Sequence, residues 1–213
     1  MYIGIIGSIG IGKSMLTEAL AQRLGYRAFS EPVKENPYLD DFYRDMKRWA
    51  CVMQFFMLTQ RFKQHQEIQK LQTEGVHVVQ DQIIFGDIQY AKLTHDLGFM
   101  DDRDYANYAS HFATLEPLLT LPDVVILLET SIENTMARIQ QRGRVSEQSI
   151  GKDYLASLTQ LFSDWADTVN DKTHVLRLDW SSFQPVDSVV KTIENMLHVQ
   201  LPLPEPLSSP APA

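Results

Sequence analysis

Tyr2-Ile3-Gly4-Ile5-Ile6 runs straight into Gly7-Ser8-Ile9-Gly10-Ile11-Gly12-Lys13-Ser14. The first run is apolar and bounded by a glycine turn, which predicts a buried strand. The second fits the pattern G-x-x-x-x-G-K-[ST]. Beyond it, Leu16, Ala19, Leu20 and Leu24 share one side of a helix, and Gly25 is placed to stop it. A strand, a glycine loop and a helix in direct succession make a phosphate cradle. Glycines let backbone N–H groups turn inward around phosphate oxygens. The helix N-terminus adds partial positive charge. Lys13 can reach the β and γ phosphates, and Ser14 can hold Mg²⁺. A nucleoside triphosphate site is therefore expected at Gly7, Ser8, Ile9, Gly10, Ile11, Gly12, Lys13 and Ser14.

Outward from this loop, short apolar runs alternate with longer helical ones. Further strands are expected at 27–30, 76–79, 124–128 and 174–178. Helices are expected over 39–73, over 83–119 with breaks near Gly98 and at 100–102, and over 132–141, 152–170 and 185–198. Trp49, Val52, Phe56 and Phe62 mark the apolar stripe of the long helix, and Met53, Phe55, Phe56 and Met57 read as core. This alternation argues for an α/β fold with a five-stranded parallel sheet flanked by helices on both faces. The phosphate-loop motif after its first strand makes the three-layer P-loop nucleoside triphosphatase fold the expectation. Residues 1–200 read as one domain. Residues 201–213 hold five of the ten prolines and read as a disordered proline-rich tail.

Composition narrows the chemistry. The 213 residues carry 19 Lys and Arg against 27 Asp and Glu, a net charge of −8. That balance argues against wrapping a nucleic-acid backbone. A lone cysteine, Cys51, rules out an intramolecular disulfide framework, and the six His show no metal-ligand spacing. No targeting signal and no membrane-length apolar stretch is visible, so a soluble, cytoplasmic protein is expected.

Other residues invite chemistry. In a parallel sheet, residues just past the strand ends face the ligand crevice, and Glu31 and Asp81 stand there. One can take a proton from an attacking hydroxyl and the other can help position Mg²⁺, or each can be a cap or a solvated charge. Arg138, Arg142 and Arg144 end a helix and enter a loop. They can neutralise a transferring phosphoryl group, or they can complement a helix dipole. Gln54 can read a base edge, or it can be a core amide.

In order along the chain, Gly7–Ser14, Glu31-Pro32-Val33, Tyr43, Arg48-Trp49, Gln54, Asp81, Asp87, Met100 to Tyr108, Arg138-x-x-x-Arg142-x-Arg144-x-x-Glu147-Gln148 and Tyr154-Leu155 resemble the deoxyribonucleoside kinase family. The resemblance spans about residues 2–170. It implies that Glu31 is the general base for the sugar 5′-hydroxyl. Tyr43 and Glu147 hold the 3′-hydroxyl, Gln54 reads the base, and Arg61 with Asp87 faces its far edge. Arg138, Arg142 and Arg144 form an arginine-rich lid over ATP, and Asp81 assists Mg²⁺. Lys13 and Arg142 join Glu31 and Asp81 as catalytic groups.

Two positions depart from the family pattern. The arginine that usually follows the acidic residue is replaced by Gln82, placed at the substrate but without positive charge. Ser146 replaces a common acidic residue. The resemblance implies ATP and Mg²⁺ as cofactors and a homodimer. The Arg61–Asp87 pair favours deoxyadenosine, deoxyguanosine or deoxycytidine over thymidine. Two rivals share the phosphate loop: a nucleoside monophosphate kinase, and a non-catalytic nucleotide-binding protein in which Gln82 marks lost chemistry.

Overall fold

The structure is a computed structural model that describes residues 1–32, 36–144, 147 and 149–201. Five parallel strands form one sheet: β1 Tyr2–Ile6, β2 Arg27–Phe29, β3 Val78–Asp81, β4 Val124–Glu129 and β5 His174–Asp179. Their spatial order is β2-β3-β1-β4-β5. Alternate residues of β1 feed opposite faces, as a strand covered on both sides requires. Tyr2 and Ile6 join one core cluster, and Ile3 and Ile5 join the other.

The helices are α1 Lys13–Leu24, α2 Leu39–Arg44, α3 Met46–Thr73, α4 Asp87–Asp96, α5 Asp102–Leu115, α6 Ile132–Arg142, α7 Lys152–Val169 and α8 Val186–Leu197. α1 and α8 close over the face built on Ile3 and Ile5, and α7 helps cover the other. Among the described residues no helix is long and apolar enough to cross a membrane.

Four details differ from the sequence expectation. The long helix divides at Asp45, whose backbone leaves the helical region and whose carboxylate caps α3 by accepting from Arg48 N at 3.1 Å. β3 begins and ends two residues later than expected, because left-handed Gly75 ends the turn after α3 and Val78 N bonds Met1 O at 2.9 Å. The two breaks expected near Gly98 and at 100–102 are one gap between α4 and α5. Leu201, expected as the first residue of the disordered tail, is instead buried in the core that α1 and α8 cover, with its N–H donating to Glu194 Oε1 at 2.9 Å. The rest of the expected tail, from 202 onward, Val33 of the Glu31-Pro32-Val33 run, Ser146 and Gln148 lie outside the described residues.

The register sets up the site. Ile5 on β1 faces Asp81 on β3, and Phe29 on β2 faces Gln80. The phosphate loop after β1, Asp81 at the end of β3 and Glu31 after β2 therefore emerge side by side at the carboxyl edge of the sheet, where ligands of open α/β sheets bind.

Candidate active site

A cavity of about 450 Å³ opens at this edge. Its floor is the phosphate loop. Gly10 and Gly12 hold φ of 78° and 110°, in the left-handed region that side chains disfavour. A Cβ on Gly10 would stand 2.4 Å from Ile139 Cγ1, and one on Gly12 would stand 3.0 Å from Phe183 Cε1. Lys13 is buried, and its Nζ donates to the carbonyls of Gly7 and Ser8, each at 3.1 Å.

Beside the loop, Ser14 Oγ donates to Asp81 Oδ2 at 2.5 Å. Asp81 is buried, and its Oδ1 has no partner among the described residues. Burial lifts the Asp81 carboxyl above its ordinary range, against the pull of Lys13, and the nearby Glu31 charge adds to the rise. Two oxygen donors beside a phosphate cradle suit Mg²⁺, a hard cation that keeps waters and phosphate oxygens as its other ligands. Among the described residues no group of three or more His, Cys, Asp or Glu could hold a metal. A cation here would rely on phosphate oxygens.

The opposite end of the cavity is hung from α3 and α4. Gln54 and Arg61 project inward from the buried face of α3, and Asp87 projects from the start of α4. Arg61 Nε donates to Asp87 Oδ1 at 2.6 Å, and Arg61 Nη2 donates to Glu31 Oε1 at 2.5 Å. Burial pushes Glu31 up, but Arg61, Lys13 and Arg142 together hold it below the usual carboxylate value. Burial pushes Asp87 up to about 7 despite Arg61. Asp87 Oδ2 has no partner among the described residues. Neighbouring acids driven in opposite directions are a mark of functional sites.

The three arginines of the expected lid divide into two groups. Arg142 Nη2 donates to Glu147 Oε2, and Arg144 Nη1 donates to Glu147 Oε1 at 3.1 Å. Arg138 instead donates to the carbonyls of Ile11 at 2.9 Å, Trp180 at 2.7 Å and Ser181 at 3.2 Å, with its guanidinium 4.4 Å from the centre of the Phe183 ring. Tyr43, from α2, lines the same cavity as Glu147.

Five expected positions, Gly7, Ser8, Ile11, Asp81 and Gln82, do not line the cavity; the first three belong to the phosphate loop and Asp81 bonds Ser14 beside it, but Gln82 is turned elsewhere. Gln82 is fully buried at φ 58°, and its amide lies over Gly86. Both amide atoms lack a partner among the described residues. The left-handed turn at the end of β3 aims this side chain away from the ligand space. Its carbonyl takes part instead, accepting from Arg61 Nη1 at 2.8 Å.

The sequence reading missed other walls. Met53 and Met57, read as core, line the cavity, whereas Phe55 packs on Tyr108 and Phe56 on Tyr38. Tyr90 and Phe183 also line it. Phe183 is more than half exposed, and its isolated place in a polar loop was the one available signal.

The model of the deoxynucleoside kinase family matches residues 3–198. A deoxyadenosine kinase of Dictyostelium discoideum is 34% identical over 193 residues, covering 91% of this chain and 78% of that one. A deoxyadenosine/deoxycytidine kinase of Bacillus subtilis (strain 168) is 35% identical over 205 residues, covering 92% of this chain and 93% of that one. The structure of deoxyadenosine kinase from M. mycoides with the products dCMP and a flexible dCDP bound is 31% identical, with a TM-score of 0.81 over 93% of this chain and 99% of that one. A phosphate cradle, a carboxylate at the adjacent strand end and a polar far wall are joined here to a match along nearly the whole chain, and this chain belongs to the deoxynucleoside kinase family.

Proposed function

We infer that this chain transfers the γ-phosphoryl group of ATP to the 5′-hydroxyl of a deoxynucleoside whose base carries an amino group. One observation carries the reading: the phosphate loop and Lys13 share a single cavity with Glu31 and with the Gln54–Asp87 wall. A triphosphate on the loop points its terminal phosphate toward Glu31. Glu31, held ionised by its cationic neighbours, accepts the hydroxyl proton as the oxygen attacks. Lys13, Arg142 and Arg144 offer positive charge to the transferring group once the arginines leave Glu147 for phosphate. Ser14 and Asp81 would hold Mg²⁺, which supplies neutralisation of the β and γ oxygens. Glu147 and Tyr43, which line the same cavity, hold the sugar 3′-hydroxyl in this reading.

The base choice follows from Asp87. A buried carboxylate oxygen without a donor favours a ligand that brings one. Adenine, cytosine and guanine carry an amino group and thymine does not. Deoxyadenosine and deoxycytidine are the first candidates, in keeping with the relatives named above. The same wall disfavours a monophosphate acceptor. Among the described residues its one cation, Arg61, is already shared between two carboxylates. The homodimer belongs to the same reading, and sedimentation of the purified chain measures it.

Glu31→Gln tests the mechanism. The amide keeps the shape but cannot take a proton. Turnover at saturating deoxyadenosine is expected to fall by about 10²–10⁴-fold, with ATP binding unchanged. Full turnover in the variant would remove Glu31 from the reaction.

A further inference from the structure

Among the described residues, one side chain alone hydrogen-bonds the Glu31 carboxylate, and that is Arg61. The other cations nearby are engaged elsewhere. Lys13 bonds carbonyls of the phosphate loop, and Arg142 bonds Glu147. Gln82 turns its amide toward Gly86. Glu31 itself follows a three-residue edge strand, so the sheet does little to fix its side chain.

Arg61 is fixed from three directions. It is 1% exposed at the middle of α3. Nε is tied to Asp87 on α4, Nη1 to the Gln82 carbonyl at the end of β3, and Nη2 to Glu31. A planar guanidinium held at two nitrogens has no freedom left at the third.

We propose that Arg61 is the positioning residue for Glu31, with Asp87 and the Gln82 carbonyl as its anchors, so that the base-selecting wall and the general base share one guanidinium. This rests on the kinase reading and deepens it. Arg61 does the work that an arginine following Asp81 would do, and the substitution by Gln82 is tolerated for that reason. The proposal separates Arg61 from an ordinary base contact, which would govern affinity and base preference only.

A double-mutant cycle tests it. Arg61→Met and Arg61→Lys are made in the wild type and in Glu31→Gln, and kcat and KM are measured separately for deoxyadenosine and deoxycytidine. Arg61→Met is expected to lower kcat by about tenfold or more on both substrates, a share of what a positioned base supplies. Arg61→Lys should regain part of that loss. In the Glu31→Gln background the same change should cost less than about twofold, because the group it positions is already disabled. Thermal melts check folding. If Arg61→Met does not fold, Arg61→Lys carries the cycle, since it keeps a cation between the carboxylates. A change confined to KM or base preference overturns the proposal, as does an equal loss of kcat in both backgrounds. A wild type that phosphorylates no deoxynucleoside overturns the kinase reading as well.

Discussion

Asp87 shows how burial can give one residue two behaviours. Its carboxyl sits near 7 because burial raises it more than Arg61 lowers it. Above that value it is ionised and accepts from an amino group. Below it, it carries a proton and can donate to the O4 of thymine. The preference for deoxyadenosine over thymidine should therefore weaken as pH falls from about 8 to about 6, by about tenfold in the ratio of kcat/KM values. Asp87→Asn should remove that pH dependence, and a ratio that stays flat in the wild type would contradict the assignment. That Glu31, Gln54 and Asp87 belong to one site was legible from motif and order, and all three line the cavity. The Arg61–Glu31 contact was not. Thirty residues separate the two in sequence, and only the packing of α3 beneath the strand ends joins them.

At the scale of elements, α3 explains where the sequence reading slipped. Its buried face runs through Ala50, Met53, Gln54, Met57, Leu58, Arg61, His65 and Ile68. The expected stripe of Trp49, Val52, Phe56 and Phe62 lies on the flank of that face, and Val52 is exposed. A periodicity search weights apolar residues, but this helix roofs a polar site, so its inward face carries Gln54 and Arg61. The phosphate loop was fully legible, because its spacing is dictated by backbone geometry alone. That geometry makes a prediction. Gly10→Ala would put a methyl 2.4 Å from Ile139 Cγ1, at a left-handed backbone. α6 must then shift or the loop must open, so ATP binding should weaken by about tenfold or more, read by calorimetry. Unchanged affinity would mean that α6 yields freely, and that the loop is not shaped by its contact.

For the whole molecule, five strands in parallel followed from the alternation of short apolar and long helical runs. The order β2-β3-β1-β4-β5 did not, because no local pattern states which strands become neighbours. That order matters to function. It sets β1 between β3 and β4 and so brings the phosphate loop, Asp81 and Glu31 to one edge. A chain of net charge −8 thereby gathers Lys13, Arg61, Arg138, Arg142 and Arg144 around one cavity. This local field suits a triphosphate. The most direct test is ATP-dependent phosphorylation with Mg²⁺, run side by side on deoxyadenosine, deoxycytidine, deoxyguanosine, thymidine and thymidine monophosphate. The expected result is turnover on the amino-bearing nucleosides, little on thymidine and none on the monophosphate. Strongest turnover on the monophosphate, or on none of the five while ATP still binds, would contradict the account.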